Sequence, residues 1–167
     1  AFTFKNIEIA QGKLATDLYR YNGQVSNQRF PLLNANVDTS SIKINITSNN
    51  SVTAWTKAGD LTGVTSTSNV YYLQENDDGL FEIYFGDGVI GAEPKDGDLI
   101  TISYLVTNNI HANGASVFTM LTSINGNSDV TFTNTVSASG GKDKETTDQI
   151  KFSASKFYTS QNRLVSV

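Results

Sequence analysis

The sequence predicts a mainly β fold, a sandwich or partial barrel of antiparallel hairpins, with one C-terminal amphipathic α-helix. Ile42, Ile44 and Ile46 repeat with a period of two, as in a strand with one buried face. Two runs rich in aromatic and β-branched residues flank turn residues at 76–79, which is typical of a hairpin. Ser, Thr and Asn make up about a third of the chain, and they suit turns and exposed strand faces better than helix interiors.

The remaining strand candidates are short apolar runs bounded by Gly and Asn, which are the residues that tight turns require. The first run ends at Gly12, and the turn of the second hairpin is Asn125-Gly126. The full set of candidates is 2–12, 17–23, 42–46, the hairpin 70–88, 99–106 and the hairpin 115–137.

One segment, 145–160, breaks the β pattern and is predicted as a helix of about four turns. Asp143 is its predicted N-cap, because an Asp side chain accepts hydrogen bonds from the first free N–H groups of a helix. Gly140-Gly141 lies just before the predicted helix and marks the end of the preceding segment. The apolar residues at helical spacing are Ile150, Ala154, Phe157 and Tyr158.

The domain prediction has three parts. Residues 30–110 form a central β domain, and the strands of 1–29 pair with those of 111–140, so that the central domain is an insertion between them. Residues 141–163 form the helix and a linker towards a C-terminal part that this chain lacks. The chain begins without Met and ends in RLVSV, which resembles the start of a strand. We therefore expect a fragment of a longer protein.

Charge and composition narrow the range of partners that this chain is expected to bind. The net charge is −4 and the Lys and Arg residues are scattered, whereas nucleic-acid-binding proteins usually carry a basic stripe. No apolar run approaches 18 residues, the length that a transmembrane helix needs. Cysteine is absent, so there is no disulfide framework to predict. We predict no nucleic-acid partner, no membrane partner and no cofactor.

The acidic glycine segments are predicted to be structural turns rather than metal sites. Asp87 lies among aromatic and aliphatic neighbours, whereas a Ca²⁺ loop places several oxygen ligands at alternate positions. The acidic turn 75–79 also lacks that spacing and is predicted to be solvated. A metal ligand at either place is the less favoured alternative. The predicted structural turns are Gly86, Asp87, Gly88, Gly97, Gly140 and Gly141.

The other chemical candidates are weak. His111 is the only histidine, which excludes multi-histidine metal sites, and no Gly-x-Ser-x-Gly motif accompanies it. Gly140-Gly141-Lys142 precedes a helix, but Asp143 and Glu145 would repel phosphate there. A sugar-binding face is a further alternative to core packing for five aromatic residues. These are Trp55, Tyr71, Tyr72, Tyr84 and Tyr104. We predict no catalytic, cofactor-binding or metal-binding residue, and therefore no enzyme.

Two stretches carry a family resemblance that covers about 34–167. The first, 71–118, and the second, 140–167, resemble the baseplate wedge proteins of contractile-tailed, T4-like bacteriophages, within the wider baseplate J-like family. The matching residues are Phe85-Gly86-Asp87-Gly88, Gly91, Pro94, Gly97, Tyr104, Asn113-Gly114, Gly140-Gly141, Glu145, Ile150 and Gln161-Asn162-Arg163. The N-terminal third matches only in the style of its strands.

The resemblance implies a structural protein of the virion tail baseplate, assembled in the bacterial host cytoplasm. Such proteins join wedges into a ring and relay the signal for contraction. The implied partners are further copies of the chain and other baseplate proteins. Two alternatives remain: a carbohydrate- or receptor-binding β module of a tail, and a calcium-dependent hydrolase or calcium-stabilised module.

Overall fold

The structure is a computed structural model, and it describes residues 3, 5, 7–59 and 61–160. The chain divides into two compact units, Ala1–Asn108 and Asn109–Val167. All seven strands of the described residues lie in the first unit. They are β1 (Lys13–Arg20), β2 (Phe30–Pro31), β3 (Val37–Ser48), β4 (Ser51–Lys57), β5 (Val70–Glu75), β6 (Phe81–Phe85) and β7 (Leu99–Val106).

The strands form one nearly closed, barrel-like sheet in the order β1-β7-β3-β4-β5-β6-β2, which confirms the mainly β prediction. Neighbours are antiparallel except for β4 and β5, which run parallel through the pairs Thr56–Val70 and Lys57–Tyr71. The predicted hairpin at 70–88 is β5 and β6, and Gly79 in its turn has a φ of 77°. The predicted strand at 99–106 is β7.

The core of the first unit is built by strands whose inward residues alternate with polar ones. Ile42, Ile44 and Ile46 of β3 are buried while Lys43 and Asn45 are exposed, as the period of two predicted. In β7 the inward positions Ile100, Ile102 and Tyr104 are 0% exposed. Phe30, Leu32 and Ile83 complete the centre of this cluster.

The terminal strands of the order, β1 and β2, meet at a seam that side chains bridge. The Tyr19 ring lies 5.4 Å from the Phe30 ring, centroid to centroid, and the Tyr19 hydroxyl donates to the Pro31 carbonyl. The Tyr104 hydroxyl donates to Asp17 Oδ2 at 2.6 Å and accepts from Asn34 Nδ2 at 2.8 Å. Buried polar groups are therefore paired across the seam, as burial requires.

The N-terminal pairing differs from the prediction. β1 begins at Lys13, where the predicted first strand had already ended, and residues 7–12 contain no strand; Phe2 and Phe4 lie outside the described residues. β1 pairs with β7 along its whole length rather than with 111–140. The inward positions of β1, including Ala15 and Tyr19, pack on the core, so this register buries them beside β7. The predicted division into domains stays a prediction.

The predicted hairpin at 115–137 is reduced to its turn. Asn125 and Gly126 have φ of 48° and 81°, and one bridge joins Ile124 to Asn127. The described ends of the segment are joined by the Ala138 N–H, which donates to the Ala115 carbonyl at 2.8 Å, without a strand ladder between them. Side chains on either side are exposed, 83% for Val117 and 94% for Leu121. An isolated two-stranded hairpin with no surface to pack against is marginal in water, which explains the absence of extended strands.

The second unit contains the predicted helix as α1 (Thr147–Ser160). Its N-cap is Thr146 rather than Asp143: the Thr146 Oγ1 accepts from the Gln149 N–H, and the Gln149 side chain accepts from the Thr146 N–H at 2.8 Å. This capping box satisfies both residues' free donors. Asp143 instead accepts from the Ile110 N–H. Within the residues described, no helix has the length and hydropathy needed to cross a membrane.

We expect the free energy of unfolding to fall at alkaline pH because of the seam tyrosine. Burial, and then the hydrogen bond to Asp17, raises the pKa of Tyr104 from 10.0 to about 12. The fold favours the neutral phenol, so its contribution is full below pH 10 and is lost as the pH rises through about 12. Tyr104→Phe should reduce this alkaline loss and cost about 1 kcal/mol at neutral pH.

Denaturant unfolding between pH 7 and 12 measures both effects. The control is Tyr84→Phe, because Tyr84 lies on the outer face of β6 and Tyr104 stays intact. This variant should lose as much free energy of unfolding at alkaline pH as the native chain does. Part of the loss should also persist in Tyr104→Phe, because burial and Glu93 raise the pKa of Tyr21 to about 12. Identical pH profiles for Tyr104→Phe and the native chain would contradict the assignment.

Candidate functional site

The Gly86–Gly88 segment after β6 is a tight turn that uses its own carboxylate. Asp87 Oδ1 accepts from the N–H groups of Val89 at 2.9 Å and Ile90 at 3.1 Å. These backbone hydrogen bonds, that of Ile90 first, lower the pKa of Asp87. Gly88 has a φ of +80°, which glycine adopts without strain. The Asp87 carboxylate is thus engaged within its own turn.

This turn is tied to the loop before β5. The N–H of Gly91 donates to the Thr65 carbonyl at 3.1 Å, and the N–H of Ala92 donates to the Ser68 carbonyl at 2.8 Å. Gly86 lies so close to Gly91 that an added Cβ would overlap the Gly91 and Ile90 carbonyl oxygens. The two loops therefore form one rigid end of the sheet, at which Val89 is 72% exposed.

The Asp96-Gly97-Asp98 segment before β7 fastens the end of β1. Gly97 has a φ of +84° and donates its N–H to the Tyr21 carbonyl at 2.9 Å. Asp96 Oδ1 accepts from the Gly23 N–H at 2.9 Å, and Arg20 donates to the Gly97 carbonyl at 2.8 Å. Asp98 is buried, and its Oδ2 accepts from the N–H of Lys95. These carboxylates bond to backbone rather than converge on a vacant centre.

Gly140 and Gly141 organise the second unit ahead of the helix. Gly140 has a φ of +91°. The Asn113 amide bonds twice to Gly141, accepting from its N–H and donating to its carbonyl, each at 2.9 Å. A side chain at Gly141 would overlap the Asn109 carbonyl. The helix begins only at Thr147, so these glycines shape the loop rather than form the helix terminus.

Candidate metal ligands do not cluster among the residues that the structure describes. None of their His, Cys, Asp and Glu side chains form a group of three suited to a metal ion. His111 lies in a short 3-10 helix, Asn109–Ala112, and is exposed. The acidic hairpin turn carries Asp77 and Asp78 as exposed side chains. The predicted roles of the six turn residues stay predictions, although the geometry gives each a defined structural position.

The five aromatic candidates separate into two groups. Trp55, Tyr71 and Tyr104 are buried in the core, so they offer no ring face to a sugar. Tyr72 and Tyr84 stack on the outer face with centroids 5.0 Å apart, and the Arg29 guanidinium lies 4.0 Å from the Tyr84 centroid. Sequence reasoning did not single out Arg29, because only the β2–β6 register brings it to Tyr84.

The comparison with protein families matches the β unit. The family described as bacteriophage baseplate wedge protein gp6, third domain, matches residues 19–107, which is more than half of the chain. The chain belongs to this family. The matched residues run from the end of β1 to the residue after β7, so the family domain corresponds to the barrel-like sheet. The predicted resemblance is confirmed.

The similarity to a curated relative supports the same family membership. The chain is 28% identical over 133 residues to the baseplate wedge protein gp6 of Enterobacteria phage T4, which covers 70% of this chain and 19% of the relative. The chain thus spans about a fifth of the relative's length. This homology supports a structural role in a phage baseplate.

Gly86→Ala tests whether the first turn is structurally required. The added methyl overlaps two carbonyl oxygens, so we expect a loss of about 2 kcal/mol or more in the free energy of unfolding. Gly63→Ala is the matched control, because nothing lies within 4 Å of an added Cβ there. Denaturant unfolding of both variants measures the difference. Equal stability of the two variants would show that the turn adjusts without cost.

Proposed function

We propose that this chain is a structural module of a phage tail baseplate that joins neighbouring wedges into a ring and relays the signal for sheath contraction. Its partners are further copies of the chain and other baseplate proteins. The module acts in the virion tail baseplate, after assembly in the bacterial host cytoplasm, and it catalyses no reaction. Family membership over 19–107 supports the baseplate role, and the surface of the second unit supports the assembly role.

The observation that carries the assembly role is the exposed apolar surface of the second unit. Large apolar side chains there point to solvent along much of 117–152. Val117, Leu121 and Val136 are 83, 94 and 75% exposed, and Phe152 of α1 is 64% exposed. Exposed apolar residues in such number mark surfaces that another protein covers, because leaving them in water forgoes their hydrophobic stabilisation.

The relay role is consistent with the way in which loops are fastened in the first unit. The turn after β6 is tied to the Thr65–Ser68 loop, and the turn before β7 is tied to Tyr21 and Gly23. A displacement applied to one loop is thereby passed to the strands instead of being absorbed by the loop. Closely packed elements that are joined by few flexible connections transmit strain in this way.

The outer face of β5 and β6 favours protein contact over sugar binding. Sugars stack on open aromatic ring faces, but Tyr84 already packs against Tyr72 and under Arg29. Arg29 also pairs with Glu82 at 3.8 Å. Tyr and Arg are enriched at protein interfaces, so this group fits a contact with another baseplate protein.

Leu121→Glu, introduced into the phage that carries this chain, tests the assembly role. Leu121 is 94% exposed, so the substitution should leave the melting temperature of the purified chain unchanged. A charge placed in a covered apolar interface should reduce infective particles at least about tenfold. Plaque titre and electron microscopy of the tails measure the effect.

Ser128→Glu is the control, because it adds the same charge at an exposed polar position nearby and should leave the titre unchanged. Normal tails and titre for Leu121→Glu would contradict the proposal. Antibodies against the chain should also label the baseplate in electron micrographs. Label confined to the fibre tips would favour a receptor-binding module instead.

A further inference from the structure

The sequence contains three Asn-Gly pairs, a dipeptide in which the backbone can attack a side chain. The pairs are Asn22-Gly23, Asn113-Gly114 and Asn125-Gly126. The glycine nitrogen can approach the side-chain amide carbon of the asparagine, because glycine has no side chain to obstruct it. All three asparagines are exposed, so exposure does not separate the pairs. The hydrogen bonds of their reacting groups do.

The pair that follows β1 is held at both reacting groups. The Gly23 N–H donates to Asp96 Oδ1 at 2.9 Å. The Asn22 side-chain oxygen accepts from the Gln24 N–H at 3.0 Å. Attack requires the Gly23 nitrogen to lose its hydrogen and to approach Asn22 Cγ, so the bond to Asp96 must open first. A carboxylate acceptor makes that bond stronger than a bond between neutral groups.

The first pair of the second unit is held by three hydrogen bonds. The Asn113 amide accepts from the Gly141 N–H and donates to the Gly141 carbonyl, each at 2.9 Å. The Gly114 N–H donates to the Ala138 carbonyl at 2.7 Å. Turning the Asn113 side chain towards its own backbone breaks the two bonds to Gly141, and freeing the Gly114 nitrogen breaks the third. This pair is therefore protected at both reacting groups.

The third pair forms the centre of an exposed turn. Among the residues that the structure describes, neither the Asn125 side chain nor the Gly126 N–H has a hydrogen-bond partner. Ile124 and Asn127 close the turn with two backbone bonds of 3.1 and 3.0 Å, and no described strand continues from it. Opening so local a structure costs little, because few contacts are lost. Asn125 can thus reach the attack geometry that the other two pairs resist.

We propose that Asn125-Gly126 is a site of spontaneous deamidation, and that hydrogen bonding protects the other two pairs. The Gly126 nitrogen gives up its proton to base and forms a bond to Asn125 Cγ. The bond from Cγ to Nδ2 breaks, and ammonia leaves with a proton taken from water. Water then opens the cyclic imide at either of its carbonyls. The products are aspartate and isoaspartate, and the net change exchanges ammonia for water.

The reaction changes both the charge and the backbone of the turn. Either product adds one negative charge to a chain whose net charge is −4. Isoaspartate also inserts a methylene group into the main chain between Ile124 and Asn127, so the two bonds that close the turn should not form in their present register. The inference concerns the folded chain itself and does not depend on the proposed baseplate role.

Peptide mapping by mass spectrometry tests the site. The native chain is kept folded at mildly alkaline pH in heavy-oxygen water, and the amide-to-acid mass change is followed at each pair. We expect Asn125 to react at least about tenfold faster than Asn22 or Asn113, because each hydrogen bond that must open slows the attack. Asn125→Gln should remove this fast mass change, since a glutamine side chain would have to close a larger ring.

Two controls separate the effect of structure from that of sequence. In guanidinium chloride, which unfolds the chain, the three rates should approach one another because the protecting hydrogen bonds are gone. Asp96→Ala removes the acceptor of the Gly23 N–H, so deamidation at Asn22 should rise while that at Asn125 stays unchanged. The melting temperature of this variant establishes that it is folded.

Three results would overturn the proposal. Equal rates at the three pairs in the folded chain would show that their hydrogen bonds give no protection. An excess rate at Asn125 that persists undiminished in denaturant would assign it to the neighbouring sequence and not to the open turn. A folded Asp96→Ala chain with an unchanged rate at Asn22 would contradict the protective role of the bond to Gly23.

Discussion

The pairing of β7 with two partners is the constraint on which the rest of the first unit depends. β7 lies between β1 and β3 and buries Ile100, Ile102 and Tyr104 completely. Because side chains alternate along a strand, a slip of one residue in either ladder would turn these three groups outward. The Tyr104 hydroxyl then places Asp17 and Asn34 at the seam, where β1 approaches β2 without a ladder.

The pairing of β3 with β7 contains one irregularity. β3 pairs with β7 on either side of a register shift between Asp38 and Lys43. Extra residues on one strand bend it and end local pairing. β4 pairs in parallel with β5 beyond the end of its ladder with β3.

The two units differ in how much of their apolar surface they bury internally. The first unit buries a continuous apolar cluster and fastens its turns through backbone and carboxylate hydrogen bonds. The described part of the second unit keeps its large apolar side chains exposed along 117–152, and its order comes from local bonds such as the Asn113–Gly141 pair and the Thr146–Gln149 cap. These exposed apolar groups are the feature on which the proposed assembly role rests.

The sequence by itself determined the local elements. The alternation of Ile42, Ile44 and Ile46, the 76–79 turn and the apolar run of β7 each specify their own conformation, because strand period and turn chemistry act between near neighbours. The family match was also readable from the glycine and aspartate turns.

Only the tertiary structure decided that β1 joins β7, that β4 and β5 run parallel, and that Thr146 rather than Asp143 caps the helix. It also decided that 115–137 keeps a turn without strands. These outcomes depend on contacts between segments that are far apart in the sequence. Local residue spacing does not specify which of those segments pack together.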